Sequence, residues 1–155
     1  MKVSRVRYDA APLFVRKERM ETRARKYLQE VRELYIAATQ DEEIAQGYLS
    51  LAEKYKLKKC IELSEIARNK ADKSVAIYEQ RKQIVIEQIK ELRPLVFVSV
   101  LMGIYVDFMP LKDVAHDKHI SYQVVRNMHE PALKCFEEFN LDALNKWERE
   151  GGKRE

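Results

Sequence analysis

Residues 110–129 read Pro-Leu-Lys-Asp-Val-Ala-His-Asp-Lys-His-Ile-Ser-Tyr-Gln-Val-Val-Arg-Asn-Met-His. Their spacing predicts two short helices meeting at a corner, a helix-turn-helix. Val114 and Ala115 are apolar neighbours on the first helix, and Ala115 is small enough for a second helix to cross it closely. His119 falls where the chain must turn; that position asks for positive φ, usually met by glycine, and histidine is among the other residues enriched there. Ile120 then points back into the core, and the Ser121 hydroxyl suits an orphan N–H at the start of the next helix. Val125 and Met128 recur at helical spacing and pack on the first helix. Tyr122, Gln123, Arg126 and Asn127 are left outward, side chains suited to major-groove edges: Arg for guanine, Gln or Asn for adenine. With Lys112, Lys118 and Ser121 they form the candidate DNA-binding set, although the same apolar spacing also occurs in plain helical corners.

The 155 residues suffice for one domain, or for a small domain plus an extended element. Only four Gly and four Pro, against abundant Ala, Leu, Glu, Lys, Arg and Gln, favour helix throughout. A hydrophobic content of 46% can fill a core. Cys60 and Cys135 match no ligand spacing and read as reduced cytosolic thiols. No long apolar stretch follows the basic N-terminal residues, so no signal peptide is expected. The longest nearly apolar run, Leu95 to Val106, is 12 residues, too short to span a bilayer. A cytoplasmic protein without a membrane association is the expectation.

The net charge of +4 is unevenly placed: residues 1–32 hold ten basic and four acidic side chains, whereas residues 94–139 hold four and six. A module drawing affinity from phosphates needs the opposite bias. The basic N-terminal segment is therefore the candidate source of phosphate contacts, through Arg16, Lys17, Arg19 and Arg23, helped by Lys146, Arg149, Lys153 and Arg154.

Around this centre the chain is expected to be all-α: a long, coiled-coil-like helical region followed by a small helix-turn-helix domain. Residues 1–14 read as a basic arm in which Val3, Val6 and Tyr8 interleave with Arg5 and Arg7. Residues 15–92 form the long helical oligomerisation region, residues 94–148 the helix-turn-helix domain, and residues 149–155 a flexible tail. Within the first region a helix is predicted from about Val15 to Thr39, with Met20, Ala24, Tyr27, Val31, Leu34 and Ala38 as a seam that Leu28 and Tyr35 widen. Gln40-Asp41-Glu42-Glu43 reads as a break, Asp41 capping a second helix to about Tyr55 whose stripe is Ile44, Tyr48, Leu51 and Tyr55. No turn signal separates that piece from a long stretch, Lys56 to Leu92, in which Ala71, Val75, Tyr78, Val85, Ile89 and Leu92 follow a heptad. At 1.5 Å per residue it reaches roughly 55 Å, and must bury its stripe on the first helix or on a second copy; a dimer is preferred. Pro94 ends it. Leu95 to Tyr105 reads as a buried helix with Val98, Leu101, Tyr105 and Phe108 inward, and Pro110 starts the helix after it. Beyond Ser121 the inner seam continues as Val125, Met128, Ala132, Cys135 and Phe139; Pro131 kinks or restarts that helix. Asn140 caps a last helix with Leu141, Leu144 and Trp147.

Three stretches carry a family resemblance: Ile-Glu-Gln-Ile-Lys-Glu-Leu-Arg-Pro-Leu (86–95), Val-Leu-Met-Gly-Ile-Tyr-Val-Asp-Phe-Met-Pro-Leu-Lys-Asp-Val-Ala (100–115) and Ile-Ser-Tyr-Gln-Val-Val-Arg-Asn-Met-His-Glu-Pro-Ala-Leu (120–133). Over roughly residues 84–139 the chain resembles small phage regulators of the RinA and ArpU type, whose C-terminal part is similar to region four of sigma factors. In that group a Tyr-Val or Tyr-Ile pair, here Tyr105-Val106, precedes the first DNA-binding helix. The reader helix opens with Ser-Tyr, here Ser121-Tyr122, and holds a His-x-x-Ala-Leu stretch, here His129 to Leu133. The resemblance implies a regulator of phage late genes that binds a promoter-proximal site and reads bases with Tyr122, Gln123, Arg126 and Asn127, with Ser121 as cap. The chain departs from the group in His119, in Pro131 and in the acidic balance of the module.

Catalytic patterns are not apparent: there is no Gly-rich phosphate loop, nucleophile elbow or Glu-x-x-His motif. His116 and His119 are three residues apart, but a zinc site needs more ligands in range. Glu137 and Glu138 read as solvated. No metal, cofactor or enzymatic activity is expected. The expected partners are double-stranded DNA, a second copy of the chain and RNA polymerase. Two rival readings are a protein-interaction module docking on RNA polymerase or a host factor, and a phage terminase small subunit.

Overall fold

The computed structural model describes residues 22–151 of the chain. Within them the protein is all-helical, as expected: α1 (Thr22–Tyr55), α2 (Lys58–Lys90), α3 (Leu95–Leu101), α4 (Leu111–Lys118), α5 (Tyr122–Phe139) and α6 (Leu141–Arg149), with a π-helical turn, Met102–Val106, continuing α3. The arm over residues 1–14, the start of the first predicted helix with Met20, and the end of the tail lie outside the described residues. The described residues divide into two compact units, one of residues 30–87 and one of residues 22–29 with 88–151. The expected boundary at residues 92–94 therefore differs from the division seen: the start of α1 and the end of α2 belong with the small helices.

Residues 30–87 form a helical hairpin. The break expected at Gln40-Asp41-Glu42-Glu43 is absent, and α1 runs through it for 34 residues. Nothing in those four residues opposes helix, and two of them are tied to the neighbouring helix: Asp41 accepts a hydrogen bond from Ser74, and Glu42 one from Arg68. The turn instead falls at Lys56-Leu57, with Lys56 in the left-handed region at φ 57°. Glu30 pairs with Arg81, Tyr35 with Tyr78, and Asp41 with Ser74, so partner numbers fall as α1 numbers rise and the helices are antiparallel.

Reading the helix as unbroken also corrects its buried face. From Val31 the seam steps by threes and fours through Leu34, Ala38, Asp41, Ala45, Tyr48 and Ala52, all buried or half-buried. Of the predicted stripe only Tyr48 lies on this face, packed against Ala45, Ala67 and Ala71; Ile44, Leu51 and Tyr55 are 51%, 43% and 52% exposed, and Tyr35 is also exposed. Across the hairpin lie Ser64, Ala67, Ala71, Tyr78 and Val85, all buried. Alanines at the contact let the two backbones approach closely, which is why a helix pair this long closes on itself.

The second unit is built on an apolar core. Ala24, Tyr27 and Leu28 on α1, Ile89 on α2, Leu101 and Tyr105 around α3, Ala132, Leu133 and Phe136 on α5, and Leu144 and Trp147 on α6 are all buried. The Tyr27 ring packs on Phe136 at 5.8 Å between centroids and meets Trp147 edge-on at 5.4 Å, while its hydroxyl donates to Gln88 at 2.9 Å. The helix expected over Leu95 to Tyr105 is present, with Leu101 and Tyr105 buried as expected and Val98 and Phe108 only half-buried. Pro110 stands one residue before α4, in the capping position, rather than as its first residue.

Of the two alternatives for Pro131, a kink or a restart, the restart is excluded: α5 is a single helix of 18 residues with Pro131 inside it. The expected inner seam holds only in part. The inner face is Val125, Ala132, Leu133 and Phe136, and Phe139 is 63% exposed, because the 3.6-residue period drifts off a strict heptad over four turns. Asn140 sits between α5 and α6, yet its side chain donates back to the Phe136 carbonyl at 3.0 Å and caps nothing on α6.

Candidate nucleic-acid interface

Residues 110–129 form the expected pair of helices joined by a tight turn. α4 ends at Lys118, and His119 adopts the left-handed conformation, φ 58° and ψ 43°. Two hydrogen bonds close the end: the Ile120 N–H donates to the Ala115 carbonyl at 3.0 Å, and the His119 N–H to that of His116 at 3.4 Å. This is a Schellman motif, in which an apolar residue after the left-handed one folds back on the helix. Ile120 fills that role, packing with Leu111, Met109 and Met128 around a small core of Val100, Val114, Ala115 and Val125. Ser121 is extended and caps α5, its hydroxyl oxygen accepting from the Val124 N–H at 3.1 Å. Each of these roles was expected from the sequence.

The predicted outward row is exposed. Gln123, Arg126 and Asn127 are open to solvent, and Tyr122 is 43% exposed. Gln123 donates to Asn127 at 3.4 Å one turn away, aligning the two amides along one edge of the helix. Lys112 is exposed on α4. Lys118 is half-buried, with its ammonium 3.4 Å from Asp117, so its charge is partly spent within the protein. The sequence reading missed Val124, which is 38% exposed in the first turn of α5, and Lys134, exposed two turns further on. Val124 is adjacent to Gln123 and Lys134 lies eight residues after Arg126, so both border the row; an apolar side chain on this face carries no sequence signal of its own.

The phosphate candidates fare differently. Arg16, Lys17 and Arg19 lie outside the described residues. Arg23 is half-buried against the protein's own helices: it donates to Glu137 at 3.1 Å, Glu148 at 3.0 Å and Asn145 at 2.7 Å. It therefore ties α1 to α5 and α6, and Glu137, expected to be solvated, is its partner. We correct the assignment of Arg23 from phosphate contact to structural tie.

On the inner side of α5, the Tyr105 hydroxyl and His129 Nε2 share a hydrogen bond of 2.7 Å. Burial, reinforced by the Arg25 charge and opposed by Glu130, lowers the His129 pKa from 6.5 to about 4. The ring is neutral at pH 7 and can accept from the phenol; it is a packing group. Among the described residues no three His, Cys, Asp or Glu side chains gather where they could hold a metal ion, and no helix is long and apolar enough to cross a membrane.

Fold and surface together define an all-helical protein with a helical hairpin and a helix-turn-helix corner presenting a polar row. The chain matches no family model, no curated protein and no solved structure.

Proposed function

We propose that the chain is a sequence-specific DNA-binding transcription regulator, phage-encoded and of the kind that the RinA and ArpU resemblance implies, reading duplex DNA with the helix that opens at Ser121. The observation that carries this reading is the row Tyr122, Gln123, Arg126 and Asn127, exposed together on a helix whose opposite face is held by Val125 and whose entry is fixed by the His119 turn and the Ser121 cap. Arg fits guanine O6 and N7, Gln and Asn fit adenine N6 and N7, and the outward Val124 suits a thymine methyl. Lys112 and Lys134 are cations for flanking phosphates, but the acidic balance of residues 94–139 limits that contribution. The protein acts as a dimer, so that two reader helices address half-sites separated by whole turns of DNA, roughly 34–36 Å apart for adjacent turns. Its setting is the cytoplasm, beside RNA polymerase.

The test is selection of bound fragments from random and genomic duplexes by the purified protein, followed by titration of the enriched sequence against salt. A single enriched motif whose affinity falls steeply with salt supports the reading. Absence of any enriched sequence, with capture of RNA polymerase surviving nuclease treatment, replaces it with a protein-docking role.

A further inference from the structure

The turn of the helical hairpin carries Lys54-Tyr55-Lys56-Leu57-Lys58-Lys59, four cations in six residues with no carboxylate among them. No other six consecutive residues in the described part of the chain hold as many. Every residue from Glu53 to Lys59 is exposed. Glu53 and Glu62 flank the stretch, yet among the described residues none of the four lysines stands in an ion pair.

Three of these lysines sit where the fold disfavours them. Lys56 holds the left-handed turn at φ 57°, a conformation that is strained for a residue with a Cβ and free for glycine. Lys58 and Lys59 stand in the first turn of α2, which holds no acidic residue. That end of a helix carries partial positive charge and favours anions. Leu57, the residue before α2, has no side-chain oxygen for the first N–H groups of that helix. Lys54, in the last turn of α1, alone suits its helix end. A solvated turn needs none of these choices, and local conflicts of this kind gather where a chain meets a ligand. An anion at the turn offsets them together: it screens the four ammoniums from one another and meets the positive end of α2.

The side chains identify the anion. Lysine is a point charge on a flexible stem, suited to phosphate oxygens without regard to sequence. Protein interfaces are depleted in lysine, and the turn has no arginine to fork a carboxylate. Lipid-binding basic clusters adjoin a membrane span or ride on an amphipathic helix. This one straddles a turn, and among the described residues no helix is long and apolar enough to cross a membrane. The Tyr55 ring is occupied by the Lys54 ammonium, 5.3 Å from its centroid, which leaves Leu57 as the apolar side chain for a bilayer to take up. A DNA reader that is itself acidic over residues 94–139 needs phosphate contacts from elsewhere.

We propose that the hairpin turn, through Lys54, Lys56, Lys58 and Lys59, is a sequence-independent contact for the phosphate backbone of duplex DNA. The inference rests on the DNA reading above and adds to it a second contact surface, in the other compact unit.

Binding of the full chain to a short duplex of random sequence, titrated against salt, tests it. Lys54→Gln, Lys56→Gln, Lys58→Gln and Lys59→Gln together are expected to weaken binding about tenfold or more at about 0.15 M salt and to reduce the slope of log K on log salt by about two to four. The denaturant midpoint stays level or rises, so the loss is not one of folding. Preference for the enriched motif over random duplex is unchanged, whereas Arg126→Ala reduces it. Should the quadruple variant unfold more easily, Lys58→Gln with Lys59→Gln carries the test, with about half the loss of slope. A variant that binds duplex like the wild type at every salt concentration overturns the proposal and leaves the reader row standing. A wild type that shows no motif preference, but whose salt slope falls in the variant, removes the row and leaves the turn. A wild type that binds no duplex, or that binds vesicles of phosphatidylserine and phosphatidylcholine in its place, overturns both.

Discussion

Gly103 lies directly beneath Val114: a Cβ built on the glycine would stand 2.7 Å from one Val114 methyl and 3.0 Å from the other. The glycine belongs to the π-helical turn after α3, and Val114 is fully buried at the centre of α4. Valine is stiff about χ1, so it cannot swing aside. The close approach is what seats the first helix of the helix-turn-helix. Gly103→Ala is therefore expected to destabilise the fold by about 1–3 kcal/mol through overpacking. Val114→Ala in the same chain is expected to recover part of that loss, giving a double variant less destabilised than the sum of the singles. Denaturant unfolding of the four proteins measures both, and strict additivity would contradict the contact.

His119 holds a left-handed backbone at φ 58° to close α4. For a residue with a Cβ that conformation costs about 1–2 kcal/mol, while glycine brings an unfolded-state entropy penalty of roughly 0.5–1 kcal/mol. His119→Gly is accordingly expected to stabilise the protein by about 0.5–1 kcal/mol, and His119→Val to destabilise it by more than that. Urea midpoints of the two variants decide it. A glycine variant less stable than the wild type would show that the imidazole supplies something the turn alone does not.

Why the turn was legible from the sequence and other features were not follows from the range of the forces involved. The corner at residues 115–121 is fixed by local chemistry: a left-handed residue, an apolar residue folding back, and a hydroxyl three residues before the N–H it caps. The outward placement of Gln123, Arg126 and Asn127 follows from helical period alone. The hairpin register was misread because Asp41 resembles a helix cap, although its carboxylate is used across the hairpin by Ser74. That single misplacement moved the expected stripe from Ala45 and Ala52 to Ile44 and Leu51, where hydrophobicity pointed and packing did not. Arg23 reaches Glu137 and Glu148, more than a hundred residues away, and no periodicity announces such a pair. Gly103 was invisible for the same reason, since its partner is on another helix.

The buried His129 makes stability depend on pH, with a definite sign. Its pKa falls from 6.5 to about 4 in the folded chain, chiefly through burial, so the unfolded chain binds the proton more readily. Stability from this group is fully present above pH 6.5 and is lost as pH falls from 6.5 towards 4. The full shift corresponds to roughly 3 kcal/mol, and solvent access to the ring reduces the expected loss to about 2 kcal/mol. Unfolding free energies measured at pH 7 and pH 4.5 for the wild type and for His129→Gln are expected to converge at the lower pH. An unchanged gap would mean that the folded ring takes up its proton as readily as the unfolded one. NMR titration of the imidazole reads the same quantity directly.

Arg126 and Lys112 separate the two kinds of contact that the proposed DNA reading requires. Arg126 is exposed in the middle of the outward row on α5, and Lys112 is exposed near the start of α4. If the guanidinium reads a guanine edge, Arg126→Ala relaxes discrimination at one base pair by about 1–3 kcal/mol and leaves the other positions unchanged. If Lys112 meets a phosphate, Lys112→Ala weakens all sequences alike and reduces the dependence of log K on log salt by about one. Competition binding with single-base variants of the enriched site, at several salt concentrations, resolves the two effects. Because both side chains project into solvent, neither substitution is expected to shift stability by more than about 0.5 kcal/mol. A sequence preference untouched by Arg126→Ala would move the reading surface off this helix, since the other members of the row supply no second group that can grip guanine in this way.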